Sequence, residues 1–111
     1  MLTNKNISVT GVGKGLGYDL LHRIISYGGF VYGITRSRSD LKKFKNLKKC
    51  KVFLGDVKDI NVFKKIITES KIDKRDINGL VNNAGERQRI KFNNISKKKL
   101  LDLFEINFFS I

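Results

Sequence analysis

A glycine-rich segment between a short β-branched run and an amphipathic stretch constrains the fold of this chain more than any other feature. The run is Ile7 to Thr10, and the segment that follows reads Thr10-Gly11-Val12-Gly13-Lys14-Gly15-Leu16-Gly17. Leucines and isoleucines then recur every three or four positions, which predicts a helix, whereas a β-branched run predicts a strand. The chain therefore opens with a strand, a tight glycine turn and a helix.

The alternation of short apolar runs with longer helical segments continues along the chain. Further strands are predicted at 30–35, 51–54 and 77–82, and Gly28-Gly29 ends the first helix. Three polar residues are predicted to cap further helices: Ser39 before 40–46, Asp59 before a helix to about Ser70, and Ser96 before a last helix carrying Leu100, Leu101, Phe104 and Phe108.

Apolar strands separated by helices indicate βαβ units and a parallel sheet. The predicted fold class is α/β, a doubly wound Rossmann-type sheet that is incomplete, with about four strands and four helices in strand order 3-2-1-4. The chain has 111 residues without proline or an internal repeat, so residues 1–111 are predicted to form a single domain. Ligands of such sheets bind beyond the carboxyl ends of the strands.

Charge and composition restrict the possible partners and the compartment. The 23 Lys and Arg residues against 10 Asp and Glu give a formal net charge of +13, which would suit nucleic acid. The lysines are nevertheless spread along the chain and lack interleaved aromatic residues, so a nucleic-acid partner is not favoured. A single Cys50 and the lack of an apolar leader after Met1 predict a cytoplasmic protein, and no apolar run is long enough to cross a membrane.

Two side chains invite a chemical role without supporting features. Cys50 lies among Lys48, Lys49 and Lys51, which would favour a lowered thiol pKa. His22 has no acidic or cysteine partner at ligand spacing, so no metal site is predicted.

The glycine segment has the features of a phosphate-binding turn. Gly11 permits the tight turn, Gly15 lets the backbone approach a pyrophosphate, and Gly17 lets the helix pack closely on the strand. The helix N-terminus adds unpaired N–H groups and the positive end of the helix dipole. A P-loop is excluded because Lys14 is followed by glycine rather than Ser or Thr, and the G-x-G-x-x-G spacing is not met either.

The spacing T-G-x-x-x-G-x-G resembles that of the short-chain dehydrogenase/reductase family. Further landmarks of that family follow in the same order: Asp56-Val57 after the third strand, Asn82-Asn83-Ala84-Gly85 after the fourth, and Asn107 near the end of the chain. The resemblance therefore covers almost all of the sequence.

The resemblance implies roles for these residues. Asp56 would bind the adenine with Val57 against its ring, Asn82 to Gly85 would stabilise the sheet and line the cofactor, and Asn107 would be the catalytic asparagine, holding a water in a locally opened helix. The alternatives are a turn or capping aspartate, an ordinary asparagine turn and a plain helical asparagine. The implied cofactor-binding residues are Thr10, Gly11, Gly13, Lys14, Gly15, Leu16, Gly17, Arg36, Asp56, Val57, Asn83, Ala84 and Gly85.

The residues after the second strand bear on the choice between NAD and NADP. In the family an acidic residue there accepts from the adenosine ribose hydroxyls, but this chain has Thr35 and then Arg36. Arg36 and Lys14 can pair with a 2′-phosphate, a charge-assisted contact of roughly 1.5–3 kcal/mol. The expected cofactor is therefore NADP rather than NAD.

The family's remaining catalytic residues do not occur in this sequence. Relatives transfer a hydride between an alcohol or carbonyl substrate and the cofactor by means of a Ser and a Tyr-x-x-x-Lys pair, and no tyrosine here has a lysine at that spacing. The chain is expected to be truncated before that region and inactive alone. The alternative is a non-catalytic nucleotide-binding or regulatory module completed by a partner.

Truncation would also leave the far edge of the fourth strand unpaired. An exposed strand edge, together with the apolar residues Leu101, Phe104, Phe108 and Phe109, predicts self-association, for example as a homo-oligomer.

Overall fold

The computed structural model of the chain describes residues 2–57 and 59–83, together with the backbone of 105–108. Its elements are, in order, β1 (Asn6–Thr10), α1 (Gly15–Ser26), β2 (Phe30–Thr35), a 3-10 helix (Arg38–Phe44), β3 (Cys50–Leu54), α2 (Ile60–Ile72), β4 (Gly79–Asn82) and β5 (Glu105–Phe108). The predicted strands and the helices at 15–26 and 60–72 are confirmed to within a few residues. No helix within these ranges is long and apolar enough to cross a membrane.

One sheet contains all five strands of the described residues, in the order β3-β2-β1-β4-β5. The pairs β1·β2, β1·β4 and β2·β3 are parallel, which confirms the predicted order 3-2-1-4. All five residues of the central strand β1 are buried. At its start, the Asn6 N–H donates to Asn78 Oδ1 and the Asn78 N–H donates to the Asn6 carbonyl, both at 2.8 Å. The carboxyl ends of the four parallel strands consequently meet at one edge, the glycine edge, where the segment 10–17 lies.

Within the described part of the chain, α1 packs on one face of the sheet and α2 on the other. Both faces carry apolar side chains because adjacent strand residues point to opposite faces. On the first face α1 packs Leu16, Leu20, Leu21 and Ile24 against Ile7, Val9 and Val31. On the second face α2 packs Val62 and Ile66 against Phe30, Tyr32 and Ile34. The two clusters make the fold doubly wound, as predicted.

Local capping signals give mixed results. Asp59 caps α2 as predicted, since its Oδ1 accepts the Asn61 N–H at 2.9 Å. Ser39 does not cap the next predicted helix: it lies inside a tighter 3-10 helix that follows Ser37. This helix has seven residues, and 3-10 helices are used in such short connecting pieces.

Burial changes the pKa of the Cys50 thiol. The thiol is buried where β3 begins, and this burial raises its pKa above the ordinary value. The sequence-based expectation of a lowered pKa is therefore wrong, because burial disfavours the charged thiolate.

The last predicted helix is wrong at its carboxyl end. Residues 105–108 form β5, which runs antiparallel to β4 with Leu80 opposite Asn107. An open edge of β4 would leave its N–H and C=O groups without partners, and β5 supplies those partners. The predicted free edge of β4, one of the two features that favour self-association, is accordingly also wrong. The remainder of that predicted helix, including Ser96, falls outside the described residues.

A polar network ties the end of α2 to the sheet. The buried Tyr32 hydroxyl donates to Asp73 Oδ2 at 2.8 Å, and the Lys51 ammonium lies 2.8 Å from Asp73 Oδ1 and 3.4 Å from Glu69. The Lys51 hydrogen bond, followed by that of Tyr32, holds the pKa of Asp73 below its ordinary value. Burial and the bond to Asp73 raise the pKa of Tyr32.

This network predicts a specific loss of stability in acid. A carboxyl group whose pKa is lowered by folding stabilises the folded state above its unfolded pKa of about 3.9, and the contribution disappears as the pH falls through its folded pKa. Asp73→Asn should therefore lower the melting temperature at pH 7 and weaken its dependence on pH below about pH 5. Asp76→Asn, at an exposed carboxyl nearby, is the control. Equal acid dependence in wild type and Asp73→Asn, measured by thermal melts, would contradict the role of Asp73.

Candidate functional site

The glycine segment begins as a packed turn. The Gly11 and Val12 N–H groups both donate to the Ile34 carbonyl, at 2.9 and 3.1 Å, which fastens the turn to the end of β2. Val12 is fully buried in the core below. Lys14 and Gly15, by contrast, are exposed, so the segment is anchored at its start and open at its apex.

The apex leads into a helix start that offers its N–H groups. Gly15 has φ +59°, a conformation that glycine adopts without strain, and among the described residues no atom beyond its chain neighbours lies within 4 Å of the position that a Cβ would take there. Lys14 is the N-cap residue of α1, its side chain makes no capping hydrogen bond, and the first turn contains no acidic residue. Such a helix start is suited to an anion, because its N–H groups and dipole both favour negative charge.

Gly17 fixes the distance between α1 and the start of the glycine segment. A Cβ at this position would overlap the Gly11 carbonyl oxygen and the Asn83 side-chain nitrogen, and would lie 2.7 Å from the Gly11 carbonyl carbon. Only glycine allows this approach, as the sequence predicted. Leu16 next to it is buried in the core and contributes packing.

The ends of β1 and β4 are cross-linked through Thr10. The buried Thr10 hydroxyl accepts the Asn83 N–H at 2.8 Å and lies 3.3 Å from Asn82 Oδ1. The Asn83 side chain donates to the Gly11 carbonyl at 3.3 Å. Its other amide atom, Oδ1, is buried and has no hydrogen-bond partner within the described part of the chain. Asn83 thus holds the glycine segment through its side-chain nitrogen, while its Oδ1 could accept a further hydrogen bond.

The end of β2 carries a cation and no carboxylate in residues 35–37. Thr35 is buried, and its hydroxyl accepts the Ser37 N–H at 3.2 Å. The next residue, Arg36, is exposed at the glycine edge. A buried carboxylate does occur further on, since Asp40 of the 3-10 helix is only 6% exposed.

Asp40 and Lys43 are site residues that the sequence reasoning missed. The Lys43 ammonium pairs with Asp40 Oδ1 at 3.2 Å and donates to the Gly13 carbonyl at 2.7 Å. Their spacing of three residues in a helical segment was the available signal, because such positions are neighbours on a helix face. Nothing in the sequence indicated that this face meets Gly13.

The other predicted residues are placed as follows. Asp56 is exposed after β3 and its carbonyl accepts the Asp59 N–H at 2.9 Å, while Val57 beside it is half-buried. Asn107 has its backbone in β5 rather than in a helix. The predicted Ala84 and Gly85 lie outside the described residues. Among the residues that the structure does describe, no three His, Cys, Asp or Glu side chains are grouped as metal ligands.

Comparisons with known proteins give a consistent result. The family model described as short chain dehydrogenase matches residues 5–111. An uncharacterized oxidoreductase of Saccharomyces cerevisiae is 34% identical over 96% of this chain and 44% of its own length. The NADPH-dependent 3-dehydrocapnine reductase of Ornithobacterium rhinotracheale is 29% identical over 92% of this chain and 38% of its own length.

Solved structures agree with the sequence comparisons. The crystal structure of the Cj0485 dehydrogenase is similar with a TM-score of 0.63 and 28% identity, covering 92% of this chain and 40% of that protein. The chain therefore spans less than half the length of these relatives.

Proposed function

Because the chain belongs to the short-chain dehydrogenase/reductase family, we propose that its glycine edge binds the adenosine half of NADP. Membership implies a nicotinamide dinucleotide and a small-molecule substrate. The preference for NADP and the reaction, hydride transfer between an alcohol and a carbonyl group, are parts of the proposal. Both parts of the proposal concern the whole protein, because this chain spans less than half the length of its relatives.

The observation that carries the proposal is the start of α1, which has no capping side chain and at which Gly15 is exposed. A diphosphate needs N–H donors, positive charge and backbone that it can approach closely. No described residue outside its chain neighbours comes within 4 Å of a Cβ placed at Gly15, and the first turn of α1 has neither a capping side chain nor an acidic residue of its own. The residues present therefore fit the phosphate part of the cofactor.

The preference for NADP rests on the charges around this space. Arg36 and Lys14 are exposed at the glycine edge, and residues 35–37 offer no carboxylate to the ribose hydroxyls. The nearby Asp40 is paired with Lys43 and buried, which keeps its charge from a 2′-phosphate. The similarity to an NADPH-dependent reductase is in keeping with this preference.

The chemistry divides between the cofactor and the chain. A bound nicotinamide supplies the hydride or accepts it. In this proposal the chain's own residues bind the adenosine end: the start of α1 holds the diphosphate, Arg36 and Lys14 hold the 2′-phosphate, and Asp56 with Val57 receives the adenine. Asn107 is proposed as the catalytic asparagine of the whole protein.

A pair of small ligands tests the proposal without turnover. We would titrate ¹⁵N-labelled chain with 2′,5′-ADP and with AMP, which lacks only the 2′-phosphate, to millimolar concentration. The chain should bind 2′,5′-ADP more tightly, with amide shifts at residues 13–17. Arg36→Gln should weaken 2′,5′-ADP binding by roughly tenfold to a hundredfold, the equivalent of one charge-assisted contact, and leave AMP binding unchanged.

Arg38→Gln is the matched control, because it removes the same charge from another exposed position. The preference for NADP fails if both arginine variants lose affinity equally. Binding at the glycine edge fails if neither ligand shifts residues 13–17. If the chain instead binds an oligonucleotide with steep salt dependence and with no effect of Arg36→Gln, a nucleic-acid role replaces the proposal.

A further inference from the structure

We propose that Lys43 is a positioning residue that fixes the glycine segment in its ligand-ready conformation. This inference deepens the proposed function and rests on it where ligand binding is concerned. Its ammonium group contacts parts of three different elements of the site. Lys43, Asp40 and Tyr18 lie outside the residues that carry the family resemblance, whereas Gly13 belongs to the glycine segment.

The first contact is with Gly13, the residue that precedes the exposed apex of the glycine segment. The Lys43 Nζ donates to the Gly13 carbonyl oxygen at 2.7 Å. A hydrogen bond from a charged donor at this distance is among the stronger kinds in proteins. The C=O and N–H of one trans peptide point in opposite directions, so holding the Gly13 carbonyl also fixes the direction of the Lys14 N–H. Lys14 is the N-cap residue of α1.

The second contact orients the lysine itself. Its Nζ lies 3.2 Å from Asp40 Oδ1, and the Asp40 side chain is 9% exposed whereas that of Lys43 is 41% exposed. A nearly buried carboxylate favours a nearby cation strongly, because an unpaired charge there would be costly. The third contact is with α1, where the ammonium lies 5.2 Å from the centroid of the Tyr18 ring. A cation at this distance is attracted by the ring.

Gly13 packs closely against the 3-10 helix to which Lys43 belongs. A Cβ at Gly13 would lie 2.6 Å from both Asp40 Oδ2 and the Thr35 hydroxyl oxygen. The segment therefore passes against the end of β2 and the 3-10 helix with no room for a side chain. Through its contacts with Gly13 and Tyr18, Lys43 connects the 3-10 helix to the glycine segment and to α1. The 3-10 helix follows Arg36 closely in the chain.

The test compares Lys43→Met with Lys42→Met. Methionine keeps an apolar stem and removes the charge, and Lys42 is an exposed neighbour of the same charge. In the ligand-free chain, ¹⁵N relaxation should show increased mobility of Lys14 and Gly15 in Lys43→Met alone. Lys43→Arg, which keeps a charged donor, should restore much of the wild-type rigidity.

Ligand binding supplies the second measurement. Lys43→Met should weaken AMP and 2′,5′-ADP by the same factor, about tenfold, because both ligands depend on the positioned helix start. A loss confined to 2′,5′-ADP would overturn the inference, since Lys43 would then contact the 2′-phosphate directly. Unchanged relaxation in Lys43→Met would overturn it as well. If wild type binds neither ligand the proposed function fails, and the relaxation data alone still decide the role of Lys43.

Discussion

Gly17→Ala is expected to destabilise the chain by more than about 3 kcal/mol, at or beyond the upper end of ordinary overpacking. Helix propensity alone would give the opposite sign, because Ala in a helix is favoured over Gly by about 1 kcal/mol. The clash decides the outcome: the new Cβ would overlap the Gly11 carbonyl and the Asn83 side chain, and the first of these is backbone. Denaturant unfolding followed by circular dichroism measures the loss.

Gly15→Ala is the matched control for this substitution. The added Cβ meets no atom of the described residues within 4 Å apart from its chain neighbours, so its expected cost is the strained φ of +59°. That strain amounts to roughly 1–2 kcal/mol for an L-residue. A variant Gly17→Ala that fails to fold agrees with the expectation, whereas one as stable as Gly15→Ala would show that α1 can move away from the glycine segment.

Thr10→Val is expected to cost about 1–3 kcal/mol although it preserves the shape of the side chain. The Thr10 hydroxyl accepts the Asn83 N–H at 2.8 Å inside the fold, and valine leaves that donor without a partner. The Asn83 amide should also exchange its hydrogen faster, and binding at the glycine segment should weaken because Asn83 contacts Gly11. Denaturant unfolding measures the loss of stability, hydrogen exchange measures the protection of the Asn83 amide, and titration with 2′,5′-ADP measures binding.

Thr10→Ser separates the hydroxyl from the methyl group. Serine keeps the acceptor for Asn83 and loses only one buried methyl, worth about 0.8 kcal/mol. Asn83 should remain protected in Thr10→Ser and lose protection in Thr10→Val. Equal protection of Asn83 in the two variants would argue against the cross-link between β1 and β4.

The features read correctly from the sequence depend on local patterns. The spacing of Leu20, Leu21 and Ile24 determines the face that α1 buries, and Asp59 makes its capping bond within two residues. The strand order follows from right-handed crossovers that hold for parallel sheets in general. The glycine spacing likewise carries its own geometry, so the close approach at Gly17 was predictable.

The features that were missed depend on contacts between distant residues. Lys43 meets Gly13 thirty positions away, and no local pattern specifies which loop the 3-10 helix faces. The pKa of Cys50 depends on burial by the whole fold rather than on the adjacent lysines. Residues 105–108 have apolar spacing compatible with a helix, but pairing along β4 is a tertiary effect that overrides local preference.

The pairing of Asn6 with Asn78 has a consequence for the order of assembly. During synthesis β1 precedes its neighbour β4 by about seventy residues, so that side of β1 stays without a hydrogen-bonding partner strand until β4 has been made. Asn83, which contacts the glycine segment, directly follows β4 and is therefore made equally late. A chain interrupted before Asn83 would contain the whole glycine segment and still lack the side chain that donates to the Gly11 carbonyl. If the proposed function holds, the nucleotide site would therefore be completed by the same part of the chain that completes the core.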